Sequence, residues 1–183
     1  MSTALTGAAG EHYVAYKLSL QGYCVGLSRG GSPYVDIMLS NMDGEGVAIQ
    51  VKTSKGARRQ GKRSSENDRW EFDVGPKAKV LGGERLLYAF VDLNWGQGAP
   101  AVFIVPSNDV KLMFQGTNYP RNMFWLMDGV RQKYFERWDY IERLLKKEPN
   151  PALQPTAVAL GITDSTGNPS SSTLAAPASG GAG

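Results

Sequence analysis

The feature that most constrains this chain is a pair of alternating apolar segments around an Asp-Gly turn. Tyr34-Val35-Asp36-Ile37-Met38-Leu39 and Val47-Ala48-Ile49-Gln50-Val51-Lys52-Thr53 flank Asn41-Met42-Asp43-Gly44-Glu45-Gly46. Alternation at a period of two is the pattern of a half-buried strand, and Asp-Gly between two such runs predicts an antiparallel hairpin. Residues two apart on a strand share a face. Gln50 and Lys52 therefore point one way while Ile49 and Val51 point the other. An amide and an ammonium side by side on an apolar strand mark either a solvated sheet face or half of a site.

The remaining segments supply a frame for that hairpin. Residues from about Gly10 to Gln21 carry Tyr13, Val14, Tyr16, Leu18 and Leu20 among small and polar residues and end before Gly22, which predicts an amphipathic helix with a glycine stop. Tyr23 to Leu27 reads as a short strand, and the Arg29–Pro33 stretch as a turn. Trp70 to Val74 alternates as a strand, Pro76 to Leu81 reads as a short helix, and Leu86 to Leu93 is an apolar run suited to a buried central strand. Ala101 to Val105 is a further strand. Ser107 is placed to cap a short helix toward Phe114. Val130, Tyr134, Trp138, Ile141 and Leu145 form a stripe that predicts one helix over Gly129–Lys147. This order of elements predicts an α/β (α+β) fold with a central mixed β-sheet flanked by helices. Residues 1–147 form the expected domain. From Glu148 onward the chain turns to Pro, Ser, Thr, Ala and Gly, and after Pro149 it has one acid, Asp164, and neither base nor aromatic, so 148–183 is expected to be a disordered tail.

Composition removes several classes of function. The single cysteine, Cys24, forbids an internal disulfide, and the single histidine, His12, leaves no His-rich metal site and no Ser-His-Asp relay elsewhere. No apolar run reaches the roughly 20 residues needed to span a bilayer. MSTALTGAAGEHY lacks the basic start and apolar core of a secretory signal. An intracellular, cytoplasmic location is the expectation. The net charge is only +3, but Lys52, Lys55, Arg58, Arg59, Lys62, Arg63 and Arg69 crowd into one stretch against Glu66 and Asp68. Such a run is either a solvated loop or an arm that contacts phosphates, and its place directly after the Gln-Val-Lys strand favours the arm.

The hairpin can bring Asp36 close to the Gln50 and Lys52 face. A carboxylate oxygen, an amide oxygen and the Val51 carbonyl are hard oxygen ligands suited to Mg²⁺ or Mn²⁺. A nearby ammonium can orient an attacking water and offset charge on a phosphate. Glu11 on the first helix can supply a second carboxylate. Each residue also has a plainer reading. Asp36 can pair with a neighbouring base such as Arg29, Gln50 and Lys52 can lie on an open sheet face, and Glu11 can be a first-turn acid favoured by the helix dipole. Trp70 after the basic arm can stack on a base or sit in the core.

Glu11 in GEHYVAYKL, Asp36 in YVDIML and Gln50-Val51-Lys52 in AIQVKTS together resemble the core of the PD-(D/E)XK nuclease superfamily. The resemblance is carried by residues 8–55 and extends through RWEFDV, LLYAFVDLNW and PAVFIVPSNDV toward residue 147. It implies a restriction-endonuclease-like core, a metal-dependent endonuclease acting on duplex or branched DNA, and a homodimer as one assembly state. It also implies roles. Asp36 is then the central metal ligand, Gln50 ligates through its side-chain oxygen, Lys52 is the catalytic lysine, and Glu11 assists metal or water. Lys55, Arg58, Arg59, Lys62, Arg63 and Arg69 would hold the backbone. Two departures from the pattern stand out: Val35 rather than proline precedes Asp36, and Gln50 stands at an acidic position. Glutamine there lowers the site's negative charge and favours one metal over two. The alternative is a catalytically inactive protein on the same fold that binds nucleic acid or a protein partner.

Overall fold

Helix α1 (Thr3–Leu20) begins earlier than its apolar pattern. The Ser2 side chain accepts from Leu5 N and caps the first turn, and Ala, Leu and Gly follow without a β-branched run. The first turns are exposed, so they carry no stripe to read, and the start expected at Gly10 lies well inside the helix. Gly10, Val14 and Leu18, four apart, form the buried edge. The structure, a computed structural model, describes residues 2–28, 34–61, 68–95, 98–114 and 122–146. The chain divides after Lys146, and the tail expected over 148–183 lies outside the described residues.

Four strands follow the first helix: β1 (Cys24–Leu27), β2 (Ile37–Ser40), β3 (Gly46–Ser54) and β4 (Arg58–Arg59). Then come β5 (Arg69–Asp73), a 3-10 turn (Pro76–Lys79), β6 (Leu86–Asp92) and β7 (Ala101–Pro106). The chain continues with α2 (Ser107–Met113), β8 (Met123–Met127), α3 (Asp128–Arg131) and α4 (Asp139–Leu145). One sheet has five strands in the order β1-β2-β3-β6-β7, and a second has three in the order β4-β5-β8. The expected hairpin is present, with Ile37 opposite Ile49 and Ser40 opposite Gly46. The β3–β6 pair is parallel and the others in the large sheet are antiparallel, so the sheet is mixed as expected. Within the crossover from β3 to β6 the chain builds β4 and β5 of the second sheet.

The large sheet is covered on both faces. Ile49, Val51, Leu87, Ala89, Val102 and Ile104 pack with Val14 and Leu18 of α1 and Ile141 and Leu145 of α4. On the other face Tyr88, Phe90, Phe103 and Val105 pack with Trp70 and Phe72 of β5 and Phe124 and Leu126 of β8. This two-sided burial is why β6 reads as a continuous apolar run rather than an alternating one. Its aromatic layer is closely matched, with the Phe90 and Phe124 rings stacked at 4.5 Å and Phe72 4.9 Å from Phe90. Trp70 is 2% exposed, which makes it a core residue and removes it as a base-stacking platform.

Two further expectations are corrected, and one strand adds to them. The stripe from Val130 to Leu145 is not one helix. Ile104 N donates to Tyr134 O and Glu136 N donates to Val102 O, so residues 134–136 lie as a strap along β7 and break the helix into α3 and α4. The break is marked by Glu136 at φ 49°, and Val130 at the start of the stripe is exposed. Ser107 makes no capping bond. Its buried hydroxyl accepts from Gly83 N and donates to Gly83 O, pinning the loop before β6. Finally, β8 was not anticipated, because MFWLM has no clean alternation to announce it. Among the described residues no helix is long and apolar enough to cross a membrane.

Candidate active site

The Gln-Val-Lys strand lies at the heart of the large sheet. Gln50 and Lys52 stand opposite Tyr88 and Phe90 in the parallel pair, on the face away from α1. Gln50 is only 8% exposed, so an open, solvated sheet face does not describe it. Lys52 is half-buried, and its ammonium has no hydrogen bond or ion pair among the described residues.

Asp36 lies one residue before β2 rather than inside the strand. Its backbone still continues the hairpin, because Asp36 N donates to Ile49 O and Ser28 N donates to Asp36 O. Its Oδ2 accepts from Gln50 Nε2 at 2.5 Å and from Val51 N at 2.7 Å. These two bonds tie the carboxylate to β3. No described group donates to its other oxygen. Arg29, the alternative partner, falls outside the described residues.

The backbone bond from Val51 has a corollary. Ala48 N donates toward β6 and Asp36 N reaches Ile49 O, so odd residues of β3 turn their amides toward β2. N–H and C=O of one strand residue point to the same side. The Val51 carbonyl therefore opens beyond the end of β2 beside Asp36, and no described backbone group donates to it.

Glu11 reaches the same place from α1. It sits in the third turn of the helix, so the first-turn reading is excluded. Gly10 makes the approach close: a Cβ there would run into Thr53 Oγ1, with Thr53 Cγ2 2.8 Å away. Burial raises the Glu11 carboxyl above the ordinary range, and Asp36 pushes it the same way, against weaker pulls from His12 and Lys52. Thr53 Oγ1 is buried with no partner among the described residues.

Glu11, Asp36, Gln50, Val51, Lys52 and Thr53 line one cavity of about 450 Å³, together with Asp73 and Gly75. That is room for on the order of ten waters. A second cavity of about 320 Å³ continues from it past Tyr88, Gly75 and Lys77 and shares Asp36, Gln50 and Lys52. The far wall was not visible in the sequence. Asp73 Oδ1 accepts from Gly75 N, and Gly75 takes φ 72°, a value that favours glycine. Lys77 Nζ lies 4.7 Å from the Tyr34 ring. Tyr88 is 1% exposed, and its phenol is raised by burial first and then by Asp36. The only signal for this wall was the Asp-Val-Gly-Pro turn after β5, which gives no hint of which neighbour it faces.

The oxygen atoms on hand fit a small hard cation: Asp36 Oδ1, the Val51 carbonyl, the Gln50 amide and the Glu11 carboxylate. Among the described residues no three His, Cys, Asp or Glu side chains come together as a metal-binding group, so carbonyl and amide oxygens would have to complete such a site.

The basic arm is largely self-paired. Arg58 Nη2 lies 2.7 Å from Asp68 Oδ2, while Arg59 and Arg69 both reach Glu71, at 3.3 Å and 2.8 Å. Gly61 N also donates to Asp68, and this backbone bond, ahead of Arg58, holds its carboxyl below the usual range. Lys55 is exposed and has no ion pair among the described residues. Lys62 and Arg63 lie outside the described residues.

No protein-family model matches this sequence, and no curated protein does. Among solved structures, the chain is similar to a bacterial homing endonuclease, I-Ssp6803I, with a TM-score of 0.54 and 13% identity. The likeness covers 78% of this chain and 92% of that one. At that identity it speaks for the fold: a mixed α/β core shared with an endonuclease.

Proposed function

We propose that this chain is a metal-dependent endonuclease of the PD-(D/E)XK type, hydrolysing phosphodiester bonds in DNA. The observation that carries the reading is the convergence of Glu11, Asp36, Gln50, the Val51 carbonyl and Lys52 on one cavity, from a helix, a strand entry and a central strand. The fold shared with a bacterial homing endonuclease supports it. Asp36, Val51, Gln50 and Glu11 would hold Mg²⁺ or Mn²⁺. When bound, such an ion polarises the phosphate and lowers the pKa of water. Lys52 brings an ammonium to the same cavity, where it orients a water and offsets charge growing on the phosphate. Glu11 reaches the same cavity from α1, where its carboxylate would assist the metal or the water.

Cleavage of plasmid and single-stranded DNA with Mg²⁺ or Mn²⁺ tests this reading. Asp36→Ala and Lys52→Ala are expected to lower the rate by at least about 10². Equal rates for wild type and both variants would reveal a contaminant or a different site.

One observation favours a second reading, a nuclease fold that binds nucleic acid or a protein without cutting. The Gln50 amide occupies Asp36 Oδ2, and a glutamine adds no charge to the site. A salt-sensitive DNA complex with no metal-dependent turnover would select that reading.

A further inference from the structure

A separate cavity of about 200 Å³ opens beyond the carboxyl ends of β3 and β6, lined by Arg58, Asp92, Asn94 and Trp95. Asp92 closes the apolar run of β6 and is 1% exposed. Asn94 N donates to its Oδ1 at 3.1 Å, and no described group donates to Oδ2. Among the described residues this leaves a carboxylate oxygen that can accept from a ligand. What exposure it keeps faces this cavity. Trp95 is half-buried beside it, an aromatic wall fixed by Trp70 at 5.1 Å and Phe103 at 5.7 Å. The cavity is smaller than the roughly 300–1,000 Å³ usual for a complete small ligand. It fits a single planar ring system.

We propose that this cavity binds a guanine base, stacked on Trp95 with its N1–H and N2–H groups donating to Asp92. The charges select the class. Arg58 lines the cavity and Arg131 lies 5.6 Å from the Trp95 ring, but each is paired with a carboxylate of its own, Asp68 and Asp128, so among the described residues Asp92 is the charge left to a ligand. A carboxylate calls for adjacent N–H donors on a neutral ring, and guanine is the standard base that offers two side by side. Adenine and cytosine put a ring acceptor next to their amino group, which a carboxylate opposes. Arg58 supplies a donor for the guanine carbonyl.

The place is apt. Ser54 and Asp92 pair two residues beyond the Lys52 and Phe90 pair, an advance of about 7 Å. A base held at Asp92 therefore lies alongside the cavity that Lys52 lines. That this base belongs to the strand being cut rests on the nuclease reading. The preference for guanine does not.

The test is a titration of the full chain with guanosine, adenosine, cytidine and uridine 5′-monophosphates, followed by tryptophan fluorescence. Guanosine monophosphate is expected to bind about tenfold more tightly than the others. Asp92→Asn should weaken it by about tenfold and shift preference to xanthosine 5′-monophosphate, whose 2-carbonyl accepts from the new amide. A purely structural Asp92 would not change the base preferred. Trp95→Leu, with its fold checked by circular dichroism, should weaken every nucleotide. Equal affinity for the guanosine and adenosine forms, or an unchanged preference in Asp92→Asn, overturns the proposal, as does undiminished binding by a folded Trp95→Leu. Guanine recognition without DNA cleavage would remove the nuclease reading alone, and cleavage without guanine recognition would remove the pocket alone.

Discussion

Gly10 and Thr53 hold the site together through contact rather than chemistry. An added Cβ at Gly10 meets Thr53 with its nearest carbon atoms 2.8 and 2.9 Å away, so α1 can lie this close to β3 only with glycine there. Gly10→Val is expected to push the helix outward, destabilising the fold by about 1–3 kcal/mol. Because Glu11 is the next residue, the same substitution should also lower activity in folded protein. Chemical denaturation and plasmid cleavage on one preparation check both effects. At this scale the sequence was informative where chemistry breaks a pattern. Asp36, Gln50 and Lys52 stood out because polar groups interrupt apolar strands. Asp73, Lys77 and Tyr88 gave no such signal, since each fits its own element and becomes part of the cavity wall only through packing between distant segments.

Individual elements were legible where their pattern reports their burial, as the unbroken apolar run of β6 does for two covered faces. The β2–β3 hairpin and the stripe on α1 could be read because their periodicity reports a single partner layer. The α3–α4 region misled because Tyr134, Ile141 and Leu145 are all buried, yet they belong to different elements on the two sides of the large sheet. What holds the start of α4 is electrostatic. Arg137 Nε and Nη2 donate to both oxygens of Asp139 at 2.6 and 2.9 Å, and Arg143 pairs with it from the next turn. The Arg137 bond first, and Arg143 after it, hold the Asp139 carboxyl well below the usual range. A depressed carboxyl stabilises the fold above its unfolded pKa, near 4, and loses that contribution as pH falls toward the folded value. Asp139→Asn should therefore cost stability at pH 7, within the ~0–1 kcal/mol of exposed pairs. The gap to wild type should shrink in urea denaturation at pH 3.

For the whole molecule, charge distribution matters more than net charge. Arg58, Arg59 and Arg69 spend much of their charge on Asp68 and Glu71. Lys52 and Lys55 do not, among the described residues. If DNA lies along this face, Lys55→Ala should reduce the salt dependence of binding by about one phosphate contact, a change in log–log slope of about 0.9. Arg59→Ala should change it less, because its carboxylate partner already neutralises it. Fluorescence anisotropy with labelled duplex across a salt series distinguishes the two.

The strap over residues 134–136 has a consequence for how this protein meets copies of itself. A terminal strand of a sheet is ordinarily a template on which another chain can add its own backbone. Here Tyr134 O and Glu136 N already occupy β7, so lateral growth of the five-stranded sheet is blocked on that side. The other border is β1, four residues long and carrying the exposed thiol of Cys24. Among the described residues, edge-to-edge association through this sheet has a single short point of entry, and a cysteine stands in it.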